Sequence, residues 1–425
     1  MGISLPRGTR DFNSSEAILL KKITWVAEET FKAFGFSPIE TPAIETLETL
    51  NAKAYGEESE KEIYLLEGKE EGLRYDFTVP LARYMAMNKD IPLPFKRYQI
   101  GKIWRMDEPQ YMRSRELIQA DVDVVGSEEP ISDAESIAAV ALALDRIGLK
   151  NYKILINSRK ILDLVLEHFG VPQGSQGAAI RAIDKLEKMG SNDVLALLKK
   201  AGMKPKQAEE MLNFMQEKGN TAETLSRVET LAEKSIGDIQ NLKEIIRLLG
   251  NYEILGEIAI DLSLARGLDY YTGGIWEFVV FDGEKRLPTI AAGGRYNNLL
   301  SLYSKNSTPA VGTSLGVSRV FEIMKNGEPL RSYARIHIAY IKEENLEYAM
   351  HVANMLRAAG IYTDLGLTKR NLTKQLEYAN SMKIKYVGIL GNQEREANKV
   401  KLRDMVSGEE ELLEVEDLIA KLKSR

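Results

Sequence analysis

Residues 265–274, ARGLDYYTGG, hold one arginine, one carboxylate and two phenols between glycines. Gly267, Gly273 and Gly274 free the backbone to turn and to approach a ligand, while the side chains between them are costly to bury without partners. Such a stretch is either an ordinary polar loop or the lining of a site. Several other stretches share its character. In RELIQADVDVV, 115–125, strand alternation sets Glu116, Ile118, Ala120, Val122 and Val124 on one face and Leu117, Gln119, Asp121, Asp123 and Val125 on the other. Three hydrogen-bonding side chains then form one row, which is either solvated or needs a partner. By the same parity FKRYQIGKIWRMD, 95–107, puts Arg97, Gln99, Arg105 and Asp107 on one face, and EPQYMRS between the two strands adds Arg113, with Arg115 just beyond. Cations and acceptors on one hairpin surface suit a zwitterionic or phosphate-bearing ligand.

LRYDFTVP, 73–80, sets Asp76 and Thr78 on one face if it is extended. AAGGRYNNLL, 291–300, presents a glycine pair and then Arg295 and Tyr296, expected at the start of a helix, where free N–H groups favour anions. VGTSLGVSRV, 311–320, is expected to carry Arg319 one turn into a helix. None of these is a GxxxxGK[ST] phosphate loop, and none has the strand, GxGxxG and acidic follow-up of a dinucleotide fold. A nucleotide site here is therefore of another kind.

The 425 residues suggest two to four domains, with 28% charged and 44% hydrophobic residues, the balance of a folded chain. No apolar run approaches the ~20 residues of a membrane span, and MGISLPRGTRDF lacks the apolar core of a secretory signal. With no cysteine there is no disulfide, thiol nucleophile or cysteine-held metal, and the cytoplasm is the expected location. His168, His337 and His351 are scattered without HExxH spacing, so neither a histidine metal site nor a serine–histidine triad is supported. Net charge is −5; residues 172–250 carry +1 and 331–425 carry +2, which leaves −8 for the remainder. An acidic body with near-neutral appendages excludes a general basic coat but not a local polyanion site.

The positioning elements follow from periodicity. Helices are expected from Ser14 or Ser15 to about Ala33, over 131–147 and over 161–169, and strands over 36–41, 95–107, 115–125 and 153–157. From Pro172 to Gly250 helix follows helix, with loops expected at Gly190, Gly202, Gly219 and Gly237, as in an all-α insertion. Strands resume at 257–263, 275–282 and 286–292, the last two joined by Asp282-Gly283-Glu284. A helix is expected after Gly294, a strand over 311–315 and a helix over 316–325. MKNGEPLRS reads as a linker, and from Arg335 strands and helices alternate as in a small α/β domain.

Together these stretches resemble the class II aminoacyl-tRNA synthetases, and among them the histidyl-tRNA synthetases. FKAFGFSPIETPAIE resembles the first class motif, a dimer-forming helix and strand with a proline. WRMDE through RSRELIQADVD resembles the second, and VGTSLGVSRV the third. RGLDYYTGG and AGGRYNNL resemble the two stretches peculiar to the histidine enzymes. Ser318 departs from the acidic residue many relatives carry there, and RYDFT looks more like the archaeal and eukaryotic branch than the bacterial one.

The resemblance implies an α+β fold: an antiparallel sheet with flanking helices as the catalytic domain (1–171 and 251–325), a helical insertion (172–250) and an α/β anticodon-binding domain (331–425). It implies ligation of L-histidine to histidine tRNA through histidyl-adenylate, with ATP and Mg²⁺ as a substrate complex, no tightly bound cofactor, a homodimer and no membrane. Arg105 and Arg266 are then the catalytic cations, Arg105 being the class arginine on the α-phosphate and Arg266 standing where relatives place a metal ion. Arg113 and Arg319 would hold the outer phosphates and the adenine side, and Asp107 the region of the adenine amino group. Asp76, Thr78 and Gln119 match the holders of the α-ammonium. Asp123 and Tyr271 match the partners of the two imidazole nitrogens, and Tyr296 closes the pocket. A related non-aminoacylating fold, the regulatory subunit of histidine biosynthesis, is the alternative; it tends to lose the catalytic arginines and the C-terminal domain.

Overall fold

The computed structural model describes residues 2–51, 63–217, 219–231, 236–265, 270–303, 307–327, 330–368 and 371–424. The chain divides into two compact units, Met1–Arg10 with Lys22–Met324 and Asp11–Lys21 with Lys325–Arg425.

The first unit contains strands β1 (Ser37–Pro38), β2 (Ile44–Thr46), β3 (Glu71–Leu73), β4 (Phe95–Trp104), β5 (Glu116–Val125), β6 (Tyr152–Ser158), β7 (Glu257–Ile260), β8 (Gly274–Asp282), β9 (Lys285–Arg286), β10 (Ala291–Arg295) and β11 (Ala310–Leu315). They form one large sheet in the order β1-β4-β5-β11-β10-β8-β6-β7, with β9 added to β8, while β2 and β3 pair separately. The large sheet is antiparallel except at β1–β4 and β6–β7. Its β4–β5 hairpin sets Arg97 opposite Asp123 and Gln99 opposite Asp121. On the other side of β5, Gly312 of β11 stands opposite Asp123 and Ser314 opposite Asp121. A side chain at Gly312 would not fit, since a Cβ there would lie 2.0 Å from Asp123 Oδ1. Glycine in a central strand ordinarily weakens it, and here it clears room for a carboxylate.

Helix Pro130–Ile147 lies against this sheet through a run of small residues, with Ala134, Ala138, Ala139 and Ala141 fully buried, and it stops at Gly148 in the left-handed region (φ 101°). Trp276 and Phe278 on β8 and Ile154 and Ile156 on β6 are fully buried as well. Between residues 172 and 250 every described element is a helix, among them Ser191–Lys200, Pro205–Gln216 and Ile236–Leu249.

Several expected elements are shorter or differ. The strand expected over 36–41 pairs in register with β4 only at Ser37–Pro38; the Ile39 N–H still reaches the Tyr98 carbonyl at 3.0 Å, and Pro42 beyond it supplies no N–H to a ladder. The strand expected over 286–292 pairs back only at Lys285–Arg286, and the next strand begins at Ala291. Gly237 lies inside a helix rather than in a loop. Arg295 does not open a helix: it is the last residue of β10, and the next helical turn is the short 3₁₀ segment Leu300–Leu302. Residues 73–80 are not extended throughout, because helix Thr78–Met87 begins at Thr78.

The second unit holds strands β12 (Ile336–Tyr340), β13 (Thr363–Leu365), β14 (Tyr386–Leu390), β15 (Lys399–Asp404) and β16 (Glu410–Glu414), in the order β13-β12-β14-β15-β16. The first three run parallel and the last two join antiparallel. Ile336, Ile338, Val352, Leu356 and Leu418 form a core on one face, and Ala339, Ala379, Val387 and Ile389 one on the other. Strands β15 and β16 escaped the periodicity reading because only Val400 and Leu402 are buried in them, among charged neighbours. Among the described residues no helix is long and apolar enough to cross a membrane.

Candidate active site

A cavity of about 440 Å³ opens in the first unit where the polar row of β5 faces out of the sheet. Gln119, Asp121 and Asp123 line it, together with Asp76 and Thr78 from the segment before helix Thr78–Met87 and with Tyr270, Tyr271 and Tyr296. Arg105, Arg113 and Arg319 line it from the ends of the hairpin and from helix Val317–Met324. The alternation that set three acceptors in a row on β5 thus points them toward a concavity that a ligand can enter.

One end of the cavity is acidic and walled by buried side chains. Arg97 is fully buried, its Nη2 2.7 Å from Asp123 Oδ2, and it donates to the Phe77 carbonyl at 3.3 Å. The Tyr296 hydroxyl donates to Asp123 Oδ1. Burial, followed by the negative Asp123, holds the Tyr296 phenol well above its ordinary value, so it remains a donor. Burial also raises Asp123, against the pull of Arg97 and of the Tyr296 bond. Asp121 is pushed up to about 7 by burial, opposed by Arg97 and reinforced by Asp123. Two buried carboxylates therefore share one guanidinium. Asp121 Oδ1 and Gln119 Oε1 are buried without a hydrogen-bond partner among the described residues. An incoming ammonium or N–H donor would satisfy both the charge and the orphaned acceptors. Asp76 Oδ1 accepts from the Val79 N–H at 3.1 Å, which fixes it at the mouth of helix Thr78–Met87. The Tyr270 hydroxyl donates to that of Tyr271 at 3.3 Å, with their rings 4.5 Å apart.

The other end is cationic. Arg105 is the residue after β4 ends, so its direction comes from a bond to the Tyr75 carbonyl at 3.0 Å and not from strand parity. Arg113 donates through Nε to Asp107 Oδ2 at 2.7 Å, and Arg115 to the Asp107 carbonyl at 2.9 Å. Arg319 Nη1 donates to the Thr289 carbonyl. Each arginine is anchored by part of its fork, and a planar guanidinium so held is preset for phosphoryl oxygens. Ser318 accepts the Ile118 N–H at 2.8 Å and ties helix Val317–Met324 to the edge of β5.

Of the eleven site residues expected from the sequence, nine line this one cavity: Asp76, Thr78, Arg105, Arg113, Gln119, Asp123, Tyr271, Tyr296 and Arg319. Asp107 is not among the wall residues; its carboxylate accepts from Arg113 and its carbonyl from Arg115. Arg266, with Gly267, lies outside the described residues. Arg295 is buried and forked onto Asp133, so its cation is already matched by a side chain of the fold and does not line the cavity. Glu277 and Thr289 also line the wall and were missed; the Glu277 carboxylate accepts from Arg286 at 2.8 Å and from Thr289 at 2.9 Å. The missed signal was a lone acid inside the apolar strand WEFVVF. Among the described residues no cluster of three or more His, Asp or Glu could hold a metal ion.

A family model described as histidyl-tRNA synthetase matches residues 8–320, and one described as anticodon binding domain matches 335–425. The chain is 38% identical to a histidine–tRNA ligase of Korarchaeum cryptofilum over 415 residues, covering 94% of each protein. It is similar in structure to histidyl-tRNA synthetase from Nostoc sp. PCC 7120, with a TM-score of 0.90, 30% identity and 100% of both chains covered. A protein of Bacillus halodurans C, described as an ATP phosphoribosyltransferase regulatory subunit/histidyl-tRNA synthetase, matches at a TM-score of 0.75 and 21% identity, with 92% of this chain and 98% of that one covered; it shares the fold.

Proposed function

The chain belongs to the histidyl-tRNA synthetase family of class II aminoacyl-tRNA synthetases and ligates histidine to tRNA through an adenylate at the expense of ATP; from that premise we propose that the 440 Å³ cavity is the site of both steps. The observation that carries this reading is the polarity of the cavity, with acceptors at one end and cations at the other. Histidine lies with its α-ammonium against Asp76, Thr78 and Gln119. Its imidazole reaches Asp123 and Tyr271, with Tyr296 holding Asp123 and closing the pocket. ATP enters as its Mg²⁺ complex, Arg105 and Arg266 on the α-phosphate, Arg113 and Arg319 on the outer phosphates and the adenine side. Asp107 keeps Arg113 in place.

In the first step a carboxylate oxygen of histidine attacks the α-phosphorus and pyrophosphate leaves. Two anions are pressed together, so fixed cations at the equatorial oxygens lower the barrier without reorganisation. In the second step a terminal ribose hydroxyl of tRNA attacks the adenylate carbonyl and AMP leaves. Residues 1–171 with 251–325 form the catalytic domain in this reading, 172–250 a helical insertion, and 331–425 the anticodon-binding domain. The protein works as a cytoplasmic homodimer on histidine tRNA. Amino-acid-dependent exchange of pyrophosphate into ATP, run over all twenty amino acids, tests the site. Buried polar readout discriminates ~10⁴-fold or more, so exchange should proceed with histidine and stay near background with the rest. Comparable exchange with any other amino acid would sink the assignment of Asp123 and Tyr271.

A further inference from the structure

Glu277 and Thr289 line the catalytic cavity without a part in either step, and together they form a chain that ends on Arg319. Glu277 stands on β8 opposite Ala292 of β10, and its Oε2 accepts from Arg286 Nη2 of β9 at 2.8 Å and from Thr289 Oγ1 at 2.9 Å. The turn between β9 and β10 is stapled at both ends by backbone bonds, from the Leu287 N–H to the Val280 carbonyl at 2.8 Å and from the Ile290 N–H to the Phe278 carbonyl at 2.9 Å. Thr289 lies between these staples, and its hydroxyl on Glu277 fixes the direction of its peptide. The carbonyl so aimed accepts from Arg319 Nη1. The Gly316 N–H reaches the Ile290 carbonyl at 2.8 Å and brings the start of helix Val317–Met324 onto the same turn. A Cβ at Gly316 would lie 3.0 Å from that carbonyl and 3.5 Å from Arg319 Cδ, so glycine permits the close approach.

Resting on the reading that Arg319 meets ATP, we propose that Thr289, fastened by Glu277, is a positioning residue for that cation. An arginine side chain gives up rotamer freedom when it grips a ligand, and a guanidinium held beforehand gives up less. The kind of holder matters electrostatically. A carbonyl orients a guanidinium through its dipole and leaves the charge for the ligand, whereas a carboxylate in the same place would cancel much of it. Here the carboxylate of Glu277 pairs with Arg286, and the threonine relays its hold to Arg319. Fixed placement of that kind counts most in the transition state, when charge spreads over phosphoryl oxygens.

The test is pyrophosphate exchange on the full chain, with ATP and histidine varied separately. Thr289→Val keeps the shape and removes the hydroxyl. Its kcat/KM for ATP should fall ~10-fold, the scale of one hydrogen bond, while histidine KM stays within ~2-fold of wild type. Thr289→Ser keeps the hydroxyl and should recover most of the loss. Arg319→Ala alone should cost ~10²-fold or more, and Thr289→Val added to it should cost almost nothing further, because no cation is left to position. Thr289→Ala carries the same comparison if the valine variant does not fold. A histidine KM that rises as far as that of ATP would overturn the proposal, since it reports a general loosening of the cavity. So would a serine variant no better than valine, or an additive loss in the double variant, which places the action of Thr289 elsewhere than on Arg319. The single arginine variant separates this from the reading beneath it. If Arg319→Ala leaves ATP kinetics near normal, the ATP role of Arg319 fails; if it is strongly impaired while Thr289→Val matches wild type, only the positioning role fails.

Discussion

Two buried arginine–aspartate pairs sit in the same sheet and do different work. Arg295 on β10 meets Asp133 on helix Pro130–Ile147, its Nε donating to Oδ1 at 3.3 Å and its Nη2 bonding Oδ2, while Nη1 reaches the Ser127 carbonyl at 2.8 Å and Nη2 the Glu129 carbonyl at 3.3 Å. Its whole fork is used, and it bolts the start of that helix to the sheet. Arg97 on β4 meets Asp123 on β5, but its Nε and Nη1 are buried without a hydrogen bond among the described residues, and Asp121 stands beside it as a second carboxylate. The first pair is closed; the second borders a cavity and is short of partners. Satisfied buried ions belong to scaffold, and under-satisfied ones beside a void mark the place where a ligand completes the set.

Removing one arginine of each pair tests that distinction. Arg295→Ala leaves Asp133 buried and uncompensated, and should lower unfolding free energy by about 3–5 kcal/mol in urea titrations. Histidine affinity of the folded fraction should hardly change. If the loss is under about 1 kcal/mol, Arg295 is no scaffold ion.

Arg97→Met should show the opposite balance. Asp121 already sits at about 7 and takes up a proton readily once Arg97 is gone, so the stability cost should be less than half that of Arg295→Ala. Histidine KM should rise ~10-fold to 10²-fold, because Asp123 loses the neighbouring charge that favours its ionised form and the contact that holds it in place. Equal stability losses for the two variants, with histidine KM unmoved, would erase the contrast.

The last effect is a slope. Asp121 has a folded value of about 7, against an ordinary value of 3.8. Between those limits the native state holds a proton that the unfolded chain has released, so stability falls as pH rises, by at most about 1.4 kcal/mol per pH unit. The contribution is fully present below pH 3.8 and gone above about 7. Asp121→Asn should flatten unfolding free energy over that window. A wild-type profile without this decline, or a variant that keeps it, would show that Asp121 is ionised throughout.

Alternation along RELIQADVDVV by itself determined that three acceptors share a face, and helix periodicity fixed segments such as Pro130–Ile147 to within a residue or two. Both are local consequences of backbone geometry, and no partner is needed to establish them. That Tyr270 and Tyr271, Tyr296 and the hairpin belong to one site was legible only through the resemblance to the synthetases, because each stretch alone reads equally well as an ordinary polar loop. Only tertiary structure decided which arginine was which. Arg295 and Arg319 both looked like anion binders at helix starts; one became a bolt because Asp133 folds over it, and the other lines the cavity. Likewise Arg97 and Asp121 became a charge-deficient site only when β4, β5 and β11 closed around them and shut out water. The charge of a residue is written in the sequence, but the dielectric and the partners that give it a function are contributed by residues far away along the chain.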